Sequence, residues 1–253
     1  MVDLGPTAAL LLALAGFLAG AVNAVAGGGS LISFPALLAA GYPSVTANVT
    51  NALAVLPGYL GGSLAYRREL ADQGDRIRAL ALTSALGAAA GAALLLSSSE
   101  VLFETIVPWL ILAACALLAL QPRAAAIARR RLERGGRSAT APLHAALFAA
   151  SVYGGYFGAG LGIMLLAILG GFLIDDLQRL NALKGMLSLL IATVTVAGFA
   201  LFGPIAWDAA LIVGAACLLG GAFGVHLARR LPAHVLRAVV IAYGVGVAIV
   251  LLA

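Results

Sequence analysis

Three consecutive glycines interrupt an apolar stretch near the start of the chain, between Asn23 and Ser30. The break predicts the end of one helix and the start of another, with Ser30 as the N-cap of the second helix. Non-helical backbone inside a bilayer is tolerated only where protein surrounds it or where it lines an aqueous cavity. The N-terminus of the second helix would offer unpaired N–H groups and a positive dipole end, which suit an anion. The alternative is a tight loop at the membrane surface, whose glycines serve close packing.

A second glycine-rich break lies in the other half of the chain, from Gly158 to Gly162. It follows Tyr153 and Tyr156 and precedes another apolar run. The serine that closes the first break has no counterpart here. The sequence therefore predicts two broken helices, of which the first carries more polar groups.

Polar residues also open the third apolar run, where Asn48, Thr50 and Asn51 interrupt an apolar pattern. Asn48 and Asn51 are three residues apart and therefore share one face of a helix. Their amides could hold an oxyanion, or they could hydrogen-bond to a neighbouring helix. The sequence leaves both interpretations open.

Lys184 and Asn181 occupy the corresponding part of the second half and also share a helix face, with Ser188 one turn further on. A cation within or near a membrane helix is a functional candidate, because burying a charge is costly. Lys184 could neutralise an anionic substrate. The alternative is that its aliphatic stem extends to the headgroups, since Lys184 lies near the start of its apolar run.

The elements that position these residues are predicted to be membrane helices. Of the 253 residues, 63% are hydrophobic and 10% are charged, which excludes an ordinary soluble domain. Five apolar runs within residues 7–120 precede a basic linker at 121–142, and five more follow within residues 143–252. The second run of each set, at 30–40 and at 163–174, is too short to cross a bilayer core of about 30 Å and is either re-entrant or a tilted piece.

The two halves have the features of an internal repeat. A shift of 133 residues pairs Asn48 with Asn181 and Gly87 with Gly220, and the order of long and short runs matches. Arginines concentrate in the central linker and in the loops after the third and ninth runs, which places those loops in the cytoplasm and both termini outside. Paired loops change side under the shift, which is typical of an inverted-topology repeat with a site near the midplane.

Enzyme signatures are absent from the sequence, which has no H-E-x-x-H, G-x-S-x-G, C-x-x-C or phosphate-loop motif. Asp175 and Asp176 adjoin at a predicted cytoplasmic turn, where they could form a solvated helix cap or serve as proton-coupling carboxylates. We therefore expect no catalytic residues, no cofactor and no metal site.

The motif N-x-x-A-G-G-G-S-x-x-x-x-P from Asn23 to Pro35, with A-N-x-T-N from Ala47 to Asn51, resembles the TauE/SafE sulfite exporter family. The segment from Arg179 to Lys184 and the glycine pair around Gly220 are similar to the C-terminal repeat of that family. The resemblance covers nearly the whole chain. It implies a bacterial inner-membrane transporter of sulfite, sulfonates or related sulfur-containing anions. The chain departs from the family pattern after Gly162, where no proline closes the second break.

We therefore expect a single all-α transmembrane transporter domain over residues 1–253, made of two inverted repeats of about five helical segments each. The expected function is secondary transport or export of small sulfur-containing anions, with Lys184 supplying charge and the amides and hydroxyls donating hydrogen bonds. A passive anion channel is one alternative, and a membrane-embedded enzyme is another. The expected substrate-binding residues are Asn23, Gly27, Gly28, Gly29, Ser30, Asn48, Thr50, Asn51, Gly160, Asn181 and Lys184.

The expected partners are the anionic substrate, membrane lipid and a possible coupling ion, either H⁺ or Na⁺. The formal net charge of +5 reflects arginines that orient the chain and contact anionic lipid, so no nucleic-acid partner is expected. The sequence predicts neither the direction of transport nor the oligomeric state.

Overall fold

The computed structural model describes residues 4–25, 28–133, 140–228 and 233–252. As predicted, the fold is all-helical, and the described residues contain no β-strand. The helices in chain order are α1 Pro6–Val25, α2 Ser30–Ala39, α3 Ser44–Ala65, α4 Arg67–Leu70, α5 Gly74–Ser97, α6 Glu100–Glu133, α7 Thr140–Tyr156, α8 Leu161–Phe172, α9 Leu177–Phe202, α10 Trp207–Ala228 and α11 Ala233–Leu252.

Helix length and composition suit a bilayer. Within the described residues, four apolar segments are long enough to span one, namely Pro6–Asn23, Gly74–Ser97, Glu100–Arg123 and Leu177–Phe202. Large apolar side chains such as Leu10, Leu211 and Val250 are exposed on the outer surface, where lipid can cover them. Helices α2 and α8 have 10 and 12 residues, which confirms that the second segment of each half is short.

Part of the predicted central linker is helical. Helix α6 continues for 34 residues to Glu133, well into the predicted linker at 121–142, and α7 begins at Thr140. The segment after Arg123 is rich in alanine and arginine, which are among the best helix formers, so the helix does not stop where the apolar run ends. Arg134 and Arg137 lie outside the described residues.

Helices of the two halves pack mainly against each other. Helix α1 packs along α10 and α5 along α7, while α3 contacts α10 and α5 contacts α9. The local pairs α1–α2 and α2–α3 have the counterparts α7–α8 and α8–α9. Exchanging the two halves therefore converts each of these contacts into another contact of the same structure.

Helices α3 and α9 run antiparallel along each other. A Cβ at Gly185, near the start of α9, would lie 3.9 Å from Ser63 Oγ near the end of α3. A Cβ at Gly203, just after α9, would lie 3.2 Å from Val49 Cγ1 near the start of α3. The pair thus has two ends. We call the end that holds Arg76 and Arg179 the basic end, and the end that holds Glu100 the acidic end.

Glycines allow close backbone contact at the two main helix crossings. A Cβ at Gly20 of α1 would overlap the carbonyl oxygen of Cys217 in α10, and one at Gly91 of α5 would overlap the carbonyl of Val152 in α7. Helix association in lipid depends on van der Waals packing, because lipid tails are as apolar as the helices. The absence of a side chain at these positions therefore brings the two halves together.

The two halves pack unequally around their short helices. Helix α6 packs extensively along α8, whereas its counterpart α11 contacts α2 over a smaller area. A cavity of about 440 Å³ remains beside α2, between α1 and α11. Its lining is apolar and includes Leu11, Leu18, Ile32 and Tyr243.

An ion-pair network ties the loops together at the basic end. Asp175, in the loop before α9, pairs with Arg76 of α5 and accepts a 2.9 Å hydrogen bond from Arg179 Nε. Arg179 also binds Asp72 at 2.8 Å. Burial raises the pKa of Asp175, but the hydrogen bonds from Arg76, the Asp176 backbone and Arg179 together hold it below its usual value. Of the two roles open for the acidic pair, Asp176 caps α9 by accepting from Gln178 N.

Gly20→Ala should destabilise the protein by about 1–3 kcal/mol, because the added methyl group overlaps backbone that cannot move aside easily. The measurement is the apparent melting temperature of the purified protein in one detergent. Gly246→Ala is the matched control, since a Cβ at Gly246 meets no atom within 4 Å. Equal melting temperatures for the two variants would contradict the close crossing.

Asp175→Asn should lower stability by about 1 kcal/mol, a figure kept small because Arg76 and Arg179 are 41% and 32% exposed. Since the folded-state pKa lies below the ordinary 3.8, the ionised carboxylate stabilises the fold above that pH, and this contribution is lost as the pH falls through the folded pKa. The difference between wild type and variant should therefore be full at pH 6 and vanish in strong acid. Asp75→Asn, whose carboxylate is fully exposed beside Arg78, should have no such effect.

Candidate functional site

The first glycine break separates α1 from α2. Gly28 has a φ of 131°, a conformation that side-chain-bearing residues rarely adopt. Its N–H donates to Asn23 Oδ1 at 3.4 Å. Gly27 lies outside the described residues. The prediction of Ser30 as the N-cap is wrong, because Gly29 already has helical angles and Ser30 is the first residue of α2, with no side-chain cap bond.

This break lies against the middle of α3 and the side of α1. A Cβ at Gly58 of α3 would lie 3.5 Å from Asn23 Nδ2. A Cβ at Gly29 would overlap the carbonyl of Ala19 in α1. Protein therefore surrounds the described part of the broken backbone, as the bilayer requires of non-helical segments.

The second break separates α7 from α8 and uses two left-handed glycines, Gly158 with φ 78° and Gly160 with φ 76°. Tyr153 fastens it by donating from its hydroxyl to the carbonyl of Ala159 at 2.6 Å. The N–H groups of the residues on either side of Gly162 bond back to carbonyls in the break, but Gly162 N–H has no acceptor within the described residues. The N-terminus of α8 therefore keeps a free backbone donor.

Lys184 lies beside this free donor. A Cβ at Gly162 would be 3.8 Å from Lys184 Cδ, so the lysine stem passes directly over the start of α8. Lys184 Nζ donates to Asn181 Oδ1 at 3.3 Å and has no carboxylate within 4 Å among the described residues. It is partly buried and lies seven residues into α9, about 10 Å from the helix start. A positive charge held at this depth without a counter-ion suits an anionic ligand.

At the acidic end, the predicted asparagines already have protein partners. Asn48 Nδ2 donates to the carbonyl of Tyr156 at 2.9 Å, which links α3 to the end of α7. Asn51 Oδ1 accepts from Ser33 Oγ at 2.5 Å, which links α3 to α2. Both side chains are buried. The hydrogen bonds of these two amides are therefore cross-links between helices.

Thr50 has a similar structural role. Its Oγ1 accepts a 3.0 Å hydrogen bond from Ala206 N, in the loop that joins α9 to α10. Its side chain is fully buried. Thr50 thus fixes the acidic end of α3 to the second half of the chain.

Glu100 is a polar contact that the sequence analysis did not single out. Its Oε1 accepts from Ser44 Oγ at 2.7 Å and from Val45 N at 2.8 Å, so it caps the N-terminus of α3 from the first turn of α6. Tyr42 Oη donates nearby to Asp208 at 3.2 Å. Burial, together with the Asp208 carboxylate, raises the pKa of Tyr42 to about 12, so the phenol keeps its proton. The only signal in the sequence was the acidic residue itself, because the sequence does not show which helix N-terminus its carboxylate caps.

The structure separates the polar predicted residues of α3 and α9. Asn181 and Lys184 lie toward the basic end, whereas Asn48 and Asn51 lie toward the acidic end, because α3 and α9 are antiparallel. Gly160 lies between them, in the break that follows Tyr156, whose carbonyl binds Asn48, and that leads to Gly162 beside Lys184. Asn48 and Ser63 are fifteen residues apart on α3, which corresponds to about 20 Å along the helix. The amides near the start of α3 and the lysine near the start of α9 are therefore separated along the helix pair. The described residues contain no cluster of His, Cys, Asp and Glu suited to a metal ion.

Comparisons with known proteins agree with a membrane-embedded architecture. The profile of the family described as "Sulfite exporter TauE/SafE" matches residues 12–251. A probable membrane transporter protein from Haemophilus influenzae is 31% identical and aligns over 94% of this chain and 92% of its own. The probable membrane transporter protein ORF9 from Sinorhizobium is 28% identical over 100% and 95%, and YfcA from Escherichia coli K12 is 27% identical over 88% and 82%. No solved structure matches significantly.

Asn48→Ala should destabilise the protein by about 0.5–1.5 kcal/mol even without any ligand, because the carbonyl of Tyr156 loses a buried donor. The apparent melting temperature in detergent is the measurement. Thr105→Val is the control, since that hydroxyl bonds only to Val101 O within its own helix. An Asn48→Ala variant that melts like the control would exclude the cross-linking role.

Proposed function

Because this chain belongs to the sulfite exporter TauE/SafE family, we propose that it carries small sulfur-containing oxyanions across the bacterial inner membrane. Family membership and the names of the relatives establish the coarser statement that it is a multi-pass membrane transporter. The substrate class, the inner membrane and secondary transport are parts of the proposal. Transporters of this kind are generally not enzymes.

The observation that carries the proposal is the unpaired cation at the start of α8. Lys184 is the only lysine in the chain, and it lies beside the free N–H of Gly162. The Lys184 ammonium, the Asn181 amide and the Gly162 N–H are all hydrogen-bond donors. The ammonium and the N–H both lie at the N-terminus of α8, where the helix dipole has its positive end, so both favour an anion there. A small oxyanion can accept from all three at once, whereas a cation or a neutral apolar solute gains nothing from them.

We also propose how the chain is oriented in the membrane. The arginines of the basic end favour a cytoplasmic location for that end, with both termini outside. The exchange of helix contacts between the halves supports a repeat, and the opposite directions of α3 and α9 are what an inverted repeat requires. We propose that the two halves rock around the α3–α9 pair and expose Lys184 to either side in turn.

A passive anion channel is the second candidate, and its distinguishing property is thermodynamic. In proteoliposomes, a secondary transporter accumulates the anion against its gradient when a proton or Na⁺ gradient is imposed. A channel equilibrates the anion and responds to neither gradient except through the voltage.

Lys184→Ala should weaken binding of the sulfur anion about 10- to 100-fold, because it removes a charge-assisted contact. The measurement is the thermal shift of purified protein with sulfite, sulfate, thiosulfate, taurine or sulfoacetate, since a ligand of the folded state raises apparent stability. Arg68→Ala, which removes an exposed cation of the basic end, is the matched control and should keep the full shift.

An independent readout uses the fact that Lys184 is the only side-chain amine. A bound sulfur anion should slow modification of Lys184 by an amine-reactive reagent, as followed by peptide mass spectrometry. An unchanged thermal shift in Lys184→Ala, with no protection of the wild-type lysine, would exclude Lys184 from the site.

A further inference from the structure

Several buried hydroxyl groups have no hydrogen-bond partner. Within the described residues, Ser63, Ser188 and Thr195 have oxygens shielded from solvent and unpaired, as does Ser84 on α5. The residues Ser63, Ser188 and Thr195 are 8%, 1% and 3% exposed. Buried polar atoms in folded proteins are almost always paired, so each exception requires a physical reason.

Their state is not the ordinary one for a hydroxyl in a helix. Such a hydroxyl can bond to the carbonyl four residues earlier in its own helix. In this structure Ser151 does so with Leu147 O at 2.7 Å, and Thr193 does so with Leu189 O at 2.8 Å. Ser188 and Thr195 lie on the same helix as Thr193 and make no such bond. Their donors therefore remain available.

The unpaired hydroxyls lie in line with Lys184. Ser188 follows Lys184 by one turn, and Thr195 follows Ser188 by two turns, so all three share one face of α9. Their spacing along the axis is about 6 Å and then about 10 Å. Ser63 faces the same stretch from α3, beside Gly185. The direction of the series is from the basic end toward the acidic end.

We propose that Ser63, Ser188 and Thr195 contact the transported oxyanion as it moves along α9 away from Lys184. Each hydroxyl donates to an anion oxygen and regains the hydrogen bond that it lacks in the ligand-free protein. The inference rests on the proposed function and deepens it, because it assigns substrate contacts beyond the cation site. Ser84 lies on α5 and is not part of this series.

The spacing favours an anion over a coupling cation. A metal-type cation needs several oxygens within about 2.5 Å of one point. Ser188 and Thr195 are about 10 Å apart along one helix and cannot share such an ion. Single donors at intervals instead suit an anion that binds at successive positions weakly enough to leave each one.

The test compares hydroxyls that have no partner with hydroxyls that bond within their own helix. Ser188→Ala and Thr195→Val remove unpaired hydroxyls, whereas Ser151→Ala and Thr193→Val remove hydroxyls that bond within their own helix. Uptake of sulfite, thiosulfate and sulfoacetate is measured in proteoliposomes, and melting temperatures are measured without ligand. We expect the first two variants to raise the apparent KM about tenfold and to melt at or above the wild-type temperature. We expect the two controls to transport like wild type.

Each outcome decides the question. If Lys184→Ala weakens transport while Ser188→Ala and Thr195→Val behave like their controls, the inference is wrong and the proposed function stands. If those two variants change only the Na⁺ dependence of transport, the hydroxyls serve a coupling ion and the inference is wrong. If wild type neither binds nor moves any of these sulfur anions, the proposed function and the inference both fail.

Discussion

A broken helix inside a bilayer has to be enclosed by protein, and the rest of this structure depends on that requirement. Lipid offers no hydrogen-bond partner to free N–H and C=O groups, so both glycine breaks must lie against other helices. A Cβ at Gly29 would overlap the backbone of α1, and the Tyr153 hydroxyl donates to a carbonyl in the second break. The close α1–α10 and α5–α7 crossings supply the surrounding helices. The packing that encloses the breaks therefore also fixes where their hydrogen-bond donors lie.

Enclosure also explains why a lone cation is tolerated near the start of α8. The stem of Lys184 lies against the start of α8, and Asn181 accepts from its ammonium without neutralising it. The opposite end uses its amides differently, since Asn48 and Asn51 are committed to Tyr156 and Ser33. The pair α3–α9 thus carries a free charge toward one end and satisfied amides toward the other. Free donors are therefore concentrated toward the basic end of the helix pair.

Much of the architecture could be predicted because it depends on local composition. Apolar runs, glycine clusters and a lysine within an apolar run are visible in any single sequence, and they located the short helices and Lys184. The separation of the polar residues in the two halves could not be predicted, for a geometric reason. Asn48 and Asn181 correspond in the two halves, but the starts of α3 and α9 lie at opposite ends, so corresponding residues are far apart. The unpaired state of Ser188 and Thr195 could not be read either, because sequence does not reveal which hydroxyls bond to their own helix.

The apolar cavity beside α2 makes the two halves depend differently on their surroundings. Helix α8 packs along α6, which fills the corresponding position in the second half. Helix α2 borders a space of about 440 Å³ lined by α1 and α11, and hydrocarbon is the only material that a bilayer offers to fill it. Acyl chains in this space would pack directly against α2. The length and order of those chains would therefore affect the packing of α2 more than that of α8.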